Sequence, residues 1–211
     1  MCTDRGRARD PGSDEIGFEE IYARAGPDFG AIPWAALTPH PALVEWLDRQ
    51  PPPHGRAALV IGCGLGDDAE EASRRGYRVT AFDLSPTAVN RCRQRFPGTA
   101  VDYQVADLLA LPGRWNSAFD LVVEIRTLQS LPPSQRAEAA SAIAWTVRPG
   151  GRVFVRCLAR DDDEPQASRP WPLSRRELEA FTDAGLHQAG LLDQPAGPAR
   201  GRSFTAVYVR P

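Results

Sequence analysis

Between residues 57 and 76 the apolar run AALVI passes through three alternate glycines in IGCGLGDD and straight into the helix-like DDAEEASRRG. A strand that turns through Gly62, Gly64 and Gly66 directly into a helix leaves few folds open. Glycine tolerates the positive φ angles of a tight turn and lets a ligand approach the backbone closely. In an open α/β sheet such a turn lies at the carboxyl end of its strand, where ligands bind, with the N–H groups of the following helix facing them. YRVTAFD (77–83) reads as the next strand. Asp83 ends it about 20 residues past the glycines, the position from which a carboxylate accepts hydrogen bonds from both hydroxyls of a ribose.

The alternation then continues. Ser85 stands as N-cap before Pro86, and the helix runs to about Phe96 before Pro97-Gly98 breaks it. VDYQVAD (101–107) and FDLVVEI (119–125) read as the third and fourth strands, the Ala-rich stretch from Gln135 to Val147 as a helix, and RVFVRCL after Arg148-Pro149-Gly150-Gly151 as the fifth strand. Ser174 caps a helix that ends at Gly185, and LHQAGLLD and RSFTAVYVR suggest an antiparallel pair at the sheet edge. Upstream, FEEIYARA (18–25) and a second apolar-periodic stretch opened by Pro41 read as helices, the latter ended by PPPHG. The expected fold is α/β: a doubly wound, mostly parallel sheet. Residues 1–15 read as a disordered tail and 16–211 as one domain, divided into a helical lid (16–50), a cofactor-binding core (57–157) and a substrate-side segment with edge strands (158–211).

Composition narrows the function. Hydrophobic residues make up 42% of the 211, enough for a sizeable core, and 25 Lys+Arg against 27 Asp+Glu argue against nucleic-acid binding. No apolar run approaches the roughly 20 residues that cross a bilayer, so no membrane association is expected. The four cysteines and three histidines are dispersed, which suggests neither disulfides nor a metal site and fits a reducing cytoplasm. The acidic run Asp161–Glu164 lacks metal-ligand spacing and reads as a solvated loop. Cys63 in the glycine loop has no motif-defined base and reads as a small buried side chain.

The dinucleotide fingerprint requires glycine or alanine where this chain has Asp67. A carboxylate there repels a pyrophosphate but attracts an amino-acid ammonium, which favours a ligand with a ribose and a cation. These features, with Ala106-Asp107-Leu108 after the third strand, FDLVVE as the fourth and RPGG before the fifth, resemble the ordered motifs of class I S-adenosylmethionine-dependent methyltransferases over roughly residues 57–157. The resemblance implies a Rossmann-like seven-stranded sheet with an antiparallel last strand. It implies S-adenosyl-L-methionine as cofactor and S-adenosyl-L-homocysteine as product. Gly62, Gly64 and Gly66 would line the methionine and ribose, Asp83 with Leu84 the ribose, and Asp107 and Leu108 the adenine. The acidic residue often found two positions before the first glycine is Val60 here, so the amine contact would fall to Asp67, Glu124 or a backbone carbonyl.

A narrower likeness, to the thiopurine S-methyltransferase-like small-molecule group, rests on IPWAAL (32–37), FDLVVE…LPP and RPWPLSRRELEAF. It implies a small thiol, amine, hydroxyl or heteroaromatic acceptor. Arg126 would favour a thiolate, while Glu124 and then His40 are the candidate bases. Tyr22, Phe29, Trp34 and Trp171 are candidate pocket walls, with Trp34 also facing the cofactor, because an aromatic face attracts a sulfonium. The bland reading makes these aromatics packing residues. A nucleotide-dependent oxidoreductase and a catalytically silent cofactor-binding partner are the competing readings, and the chain is expected as a monomer or homodimer.

Overall fold

The computed structural model describes residues 17–26, 28–165, 169–197 and 201–211; the expected disordered tail lies outside them. The chain opens with α1 (Phe18–Arg24) and α2 (Pro41–Asp48), then alternates β1 (Ala57–Ile61), α3 (Asp67–Arg74), β2 (Arg78–Asp83), α4 (Pro86–Arg95), β3 (Asp102–Val105), β4 (Phe119–Ile125), α5 (Pro133–Thr146) and β5 (Val147–Leu158). It closes with α6 (Arg175–Leu178), α7 (Ala180–Asp183), β6 (His187–Gln194) and β7 (Ser203–Val209).

The seven strands form one sheet in the order β3-β2-β1-β4-β5-β7-β6. β1 pairs in parallel with both β2 and β4, whereas β7 runs antiparallel to β5 and β6. The expected sheet with its reversed last strand is therefore present. Strand order changes direction between β1 and β4, the switch point beside which open α/β sheets bind ligands.

β1 is buried at all five positions, as a central parallel strand covered on both faces must be. Leu59 and Ile61 join Val122, Val153 and Val155 beneath α5 and α7. Ala58 and Val60 join Leu121, Val123 and Phe154 beneath α2, α3 and α4. Ser85 caps α4 as its sequence suggests, its hydroxyl accepting from the Ala88 amide at 3.0 Å.

Two boundaries differ from the sequence reading. β5 begins at Val147 and carries Arg148-Pro149-Gly150-Gly151 inside it, because Gly150 N donates to Arg210 O at 2.8 Å and Arg210 N to Gly151 O at 3.0 Å. A Cβ at Gly151 would stand 2.8 Å from Arg148 O, so the glycine stop acts as a close crossing within the strand. The helix after Ser174 breaks into α6 and α7, opened by a reciprocal capping box between Ser174 and Glu177. None of the described helices is long and apolar enough to cross a membrane, and no group of His, Cys, Asp and Glu among the described residues could hold a metal ion.

Candidate active site

The carboxyl ends of β2 and β3 form one wall of the cleft. Asp83 is 8% exposed, with Oδ2 accepting from Gly64 N at 3.0 Å and Oδ1 from Ser85 N at 2.9 Å. Each oxygen keeps a further lone pair for a ligand hydroxyl. Burial raises its pKa against the pull of those amides. Ala106 N donates to Asp83 O at 3.1 Å, which sets the turn after β3 beside Asp83. There Asp107 is exposed and its Oδ1 accepts from Leu109 N at 2.9 Å, Leu108 is buried, and Leu84 is 61% exposed on the neighbouring edge. A ribose between two hydroxyl acceptors and a ring against Leu84 fit this wall.

The three glycines have different reasons to be glycine. Gly62, at φ +57°, would place a Cβ 2.3 Å from Thr127 Oγ1, so the loop after β4 presses on the start of the turn. Gly64, at φ +55°, would place one 3.3 Å from Tyr22 Oη, beneath α1. Gly66 departs from the expected ligand contact. Its amide donates to Cys63 O at 2.9 Å, and the space its side chain would take holds the Tyr103 hydroxyl at 2.5 Å. Gly66 lets α3 pack on β3 and faces away from the cleft.

The opposite wall is the end of β4 and the loop after it. Glu124 is wholly buried, its Oε1 accepting from Thr127 N at 2.7 Å and Leu128 N at 2.9 Å. Burial raises its pKa to about 7 against those two amides. A side chain without exposure cannot reach an acceptor, so the catalytic-base expectation for Glu124 is corrected: it shapes the loop that sets Thr127 against Gly62. Arg126 has an exposed side chain and a left-handed backbone at φ +64°, fixed by its amide donating to Arg156 O at 2.8 Å.

Asp67, an expected amine contact, is also corrected. Arg95 grips its two oxygens at 2.8 and 2.9 Å, and a paired carboxylate offers an ammonium little. His40 is the N-cap of α2, Nδ1 accepting from Ala42 N at 3.2 Å, which leaves that nitrogen unable to take a proton from an acceptor. Its backbone N–H donates to Asp68 Oδ1 at 2.6 Å. Sequence reasoning passed over Asp68, the second acid of the DD pair. Burial, aided by neighbouring Asp67 and Glu71, raises its pKa to about 6 against the His40 amide and the Arg126 charge.

Helix α1 crosses the top. Glu19 accepts from the hydroxyls of Ser85 and Thr87, and Arg91 holds the carbonyls of Tyr22 and Gly26. Tyr22 is buried and accepts from Trp34 Nε1 at 3.0 Å, while the Trp34 ring is 37% exposed and meets Phe18 edge-on at 5.5 Å. Two expected pocket walls are used elsewhere. Phe29 lies beneath the guanidinium groups of Arg91 and Arg95, each 5.6 Å from its centroid. Trp171 lies near Arg136 at 5.7 Å and Arg169 at 5.6 Å, and Arg169 also covers Phe18 at 4.9 Å. Both rings serve as packing partners of cations.

Residues 58–151 match the family model described as a methyltransferase domain. The chain is 33% identical over 124 residues to a ubiquinone biosynthesis O-methyltransferase of Pseudomonas aeruginosa, covering 58% of this chain and 53% of the relative. It thus spans about half the length of the curated relatives it matches. Among solved structures, one described under conversion of a disulfide bond into a thioacetal group during echinomycin biosynthesis superposes with TM-score 0.69 at 23% identity, over 84% of this chain and 85% of that one. The Burkholderia thailandensis 1,6-didemethyltoxoflavin-N1-methyltransferase, solved with its substrate and S-adenosylhomocysteine, superposes with TM-score 0.64 at 22% identity, over 80% and 75%. The sheet order and the match over residues 58–151 are those of a methyltransferase domain. The wall at Asp83 and Gly64 fits the adenosyl half of S-adenosylmethionine, the methyl donor that this domain type implies.

Proposed function

We propose that this chain transfers a methyl group from S-adenosylmethionine to a small-molecule acceptor. The observation that carries this reading is Asp83, locked by Gly64 N and Ser85 N with both oxygens able to accept again, at the mouth of a glycine turn in a methyltransferase domain. When bound, the cofactor supplies an electrophilic methyl on sulfur. The chain's own contribution is alignment and exclusion of water: Asp83, Leu84, Asp107 and Leu108 hold the adenosine, and α1 with Tyr22 and Trp34 covers the cleft.

With Glu124 buried and His40 Nδ1 occupied, no expected base faces the cleft, which favours an acceptor that ionises readily, such as a thiol, an acidic phenol or a heteroaromatic N–H. Arg126 would lower the pKa of such a group. The ubiquinone O-methyltransferase relatives and the toxoflavin N-methyltransferase neighbour support a small acceptor and leave its reacting atom open. The thiopurine-like subgroup, the lid, core and substrate-side division, a cytoplasmic location and a monomeric or dimeric state belong to the same proposal.

An acceptor panel of thiols, phenols and N-heteroaromatics, read by S-adenosylhomocysteine release, tests it. Turnover on a small acceptor is expected. Release only with protein or RNA, or binding of S-adenosylmethionine without turnover on any acceptor, would overturn it.

A further inference from the structure

An amino-acid moiety entering a partly closed cleft brings an ammonium as well as a carboxylate, and neither is buried cheaply without an opposite charge. With the ribose held at the end of β2, the rest of S-adenosylmethionine must run across β1 toward β4, past Gly62 and the loop that presses on it. Three carboxylates stand near that end, and the structure separates them. Asp67 is gripped by Arg95 through both oxygens, and Glu124 is wholly buried, with Oε1 taken by the Thr127 and Leu128 amides and Oε2 shut away from solvent. Asp68 is different. It sits in the first turn of α3 directly after the glycine turn, is half-buried, and gives one oxygen to the His40 amide at 2.6 Å. That bond fixes the side chain against the segment before α2 and leaves its other oxygen to a ligand.

We infer that Asp68 binds the α-ammonium of S-adenosylmethionine from the first turn of α3. The inference rests on the cofactor reading above and adds the residues that recognise the amino-acid end. His40 takes a positioning role through its backbone, because its N–H aims the Asp68 carboxylate. The same arrangement explains how the domain manages with Val60 on β1, a buried apolar residue in the sheet core.

The test is calorimetric and needs no acceptor. The full chain is titrated with S-adenosylhomocysteine, with its analogue lacking only the α-amino group, and with 5′-methylthioadenosine, which lacks the amino-acid end. The wild-type chain should prefer S-adenosylhomocysteine to the desamino analogue by about tenfold or more, as a charge-assisted bond predicts. Asp68→Asn, which keeps an acceptor for the His40 amide, should weaken S-adenosylhomocysteine by about ten- to a hundredfold and leave 5′-methylthioadenosine within twofold. Asp68→Glu should restore part of the preference for the amine. The inference is overturned by a wild-type chain indifferent to the amino group, which needs no variant to fold, or by Asp68→Asn weakening 5′-methylthioadenosine as much as S-adenosylhomocysteine. A wild-type chain that binds neither ligand removes the cofactor reading too, whereas binding of 5′-methylthioadenosine without preference for the amine removes the Asp68 contact alone.

Discussion

The β2–β3 wall of the cleft and its top wall are held in place by different means. On the β2–β3 side the candidate carboxylates are fixed by backbone amides: Asp83 by Gly64 and Ser85, Asp107 by Leu109. Across the top, placement depends on side chains from distant segments: Arg169 between Phe18 and Trp171, Tyr22 with Trp34, Glu19 on Ser85 and Thr87. Backbone-fixed groups are preorganised and tolerate little change. Side-chain contacts between exposed segments are individually weak, so that wall can open, and its residues can vary with the acceptor.

Replacing Asp83 should therefore have the largest effect. Asp83→Ala removes the acceptor of two amides and of the ribose hydroxyls, and hydrogen bonds to a charged group contribute about 1.5–3 kcal/mol each. Affinity for S-adenosylhomocysteine should fall by about a thousandfold in calorimetry. A loss under tenfold would mean that the β2 edge does not grip the ligand, and the contrast between the walls would disappear.

Gly62→Ala comes next and tests how the walls meet. The added methyl would sit 2.3 Å from Thr127 Oγ1 at φ +57°, an overpacked and left-handed position at once. About 3 kcal/mol of stability should be lost in denaturant unfolding. Adding Thr127→Ala should return roughly half of it, since the clash is relieved and the backbone cost remains. Full recovery would show that the turn itself is unstrained and that only the β4 loop constrains it.

The contrast also explains what the sequence could disclose. Groups fixed by local backbone follow from spacing: the glycine turn, Asp83 at the end of β2, Asp107 after β3 and the Ser85 cap were all legible. Groups fixed by tertiary partners were not. Nothing in the spacing of Asp67 and Asp68 tells which one meets Arg95 from α4 and which meets the His40 amide. The pattern of alternating apolar residues in FDLVVEI identifies a strand but not that Glu124 turns inward under its own loop. Gly66 shares the motif with Gly62 and Gly64, yet its neighbour is the hydroxyl of Tyr103, 37 residues further on.

Glu124 gives the next effect, on the β4 wall alone. Its carboxyl holds a proton to about pH 7 in the folded chain against an ordinary value of 4.5. Between those values the folded state binds more protons than the unfolded state, so stability falls as pH rises through the window and is unaffected below it. The loss should reach roughly 3 kcal/mol by pH 8. Glu124→Gln keeps an acceptor for the Thr127 and Leu128 amides and has no charge to bury. Unfolding free energies at pH 5 and pH 8 should therefore differ less in Glu124→Gln than in the wild type. Equal differences would place the carboxyl in contact with water.

The smallest effect belongs to the top of the cleft, and it separates lid motion from binding strength. The Arg169 guanidinium lies 4.9 Å from the Phe18 centroid on α1 and 5.6 Å from that of Trp171 in the loop after β5, so the cation bridges the two segments. A cation–π contact of this kind contributes about 0.5–2 kcal/mol, more as it is desolvated. Arg169→Ala should release S-adenosylhomocysteine about five times faster in stopped-flow fluorescence, because opening α1 then disrupts fewer contacts. Arg169→Lys keeps the charge without the planar group that lies over two rings at once, so its dissociation rate should fall between those of the alanine variant and the wild type. A dissociation rate unchanged in both variants would mean that α1 does not limit ligand exit, and that the top wall is as fixed as the one at Asp83.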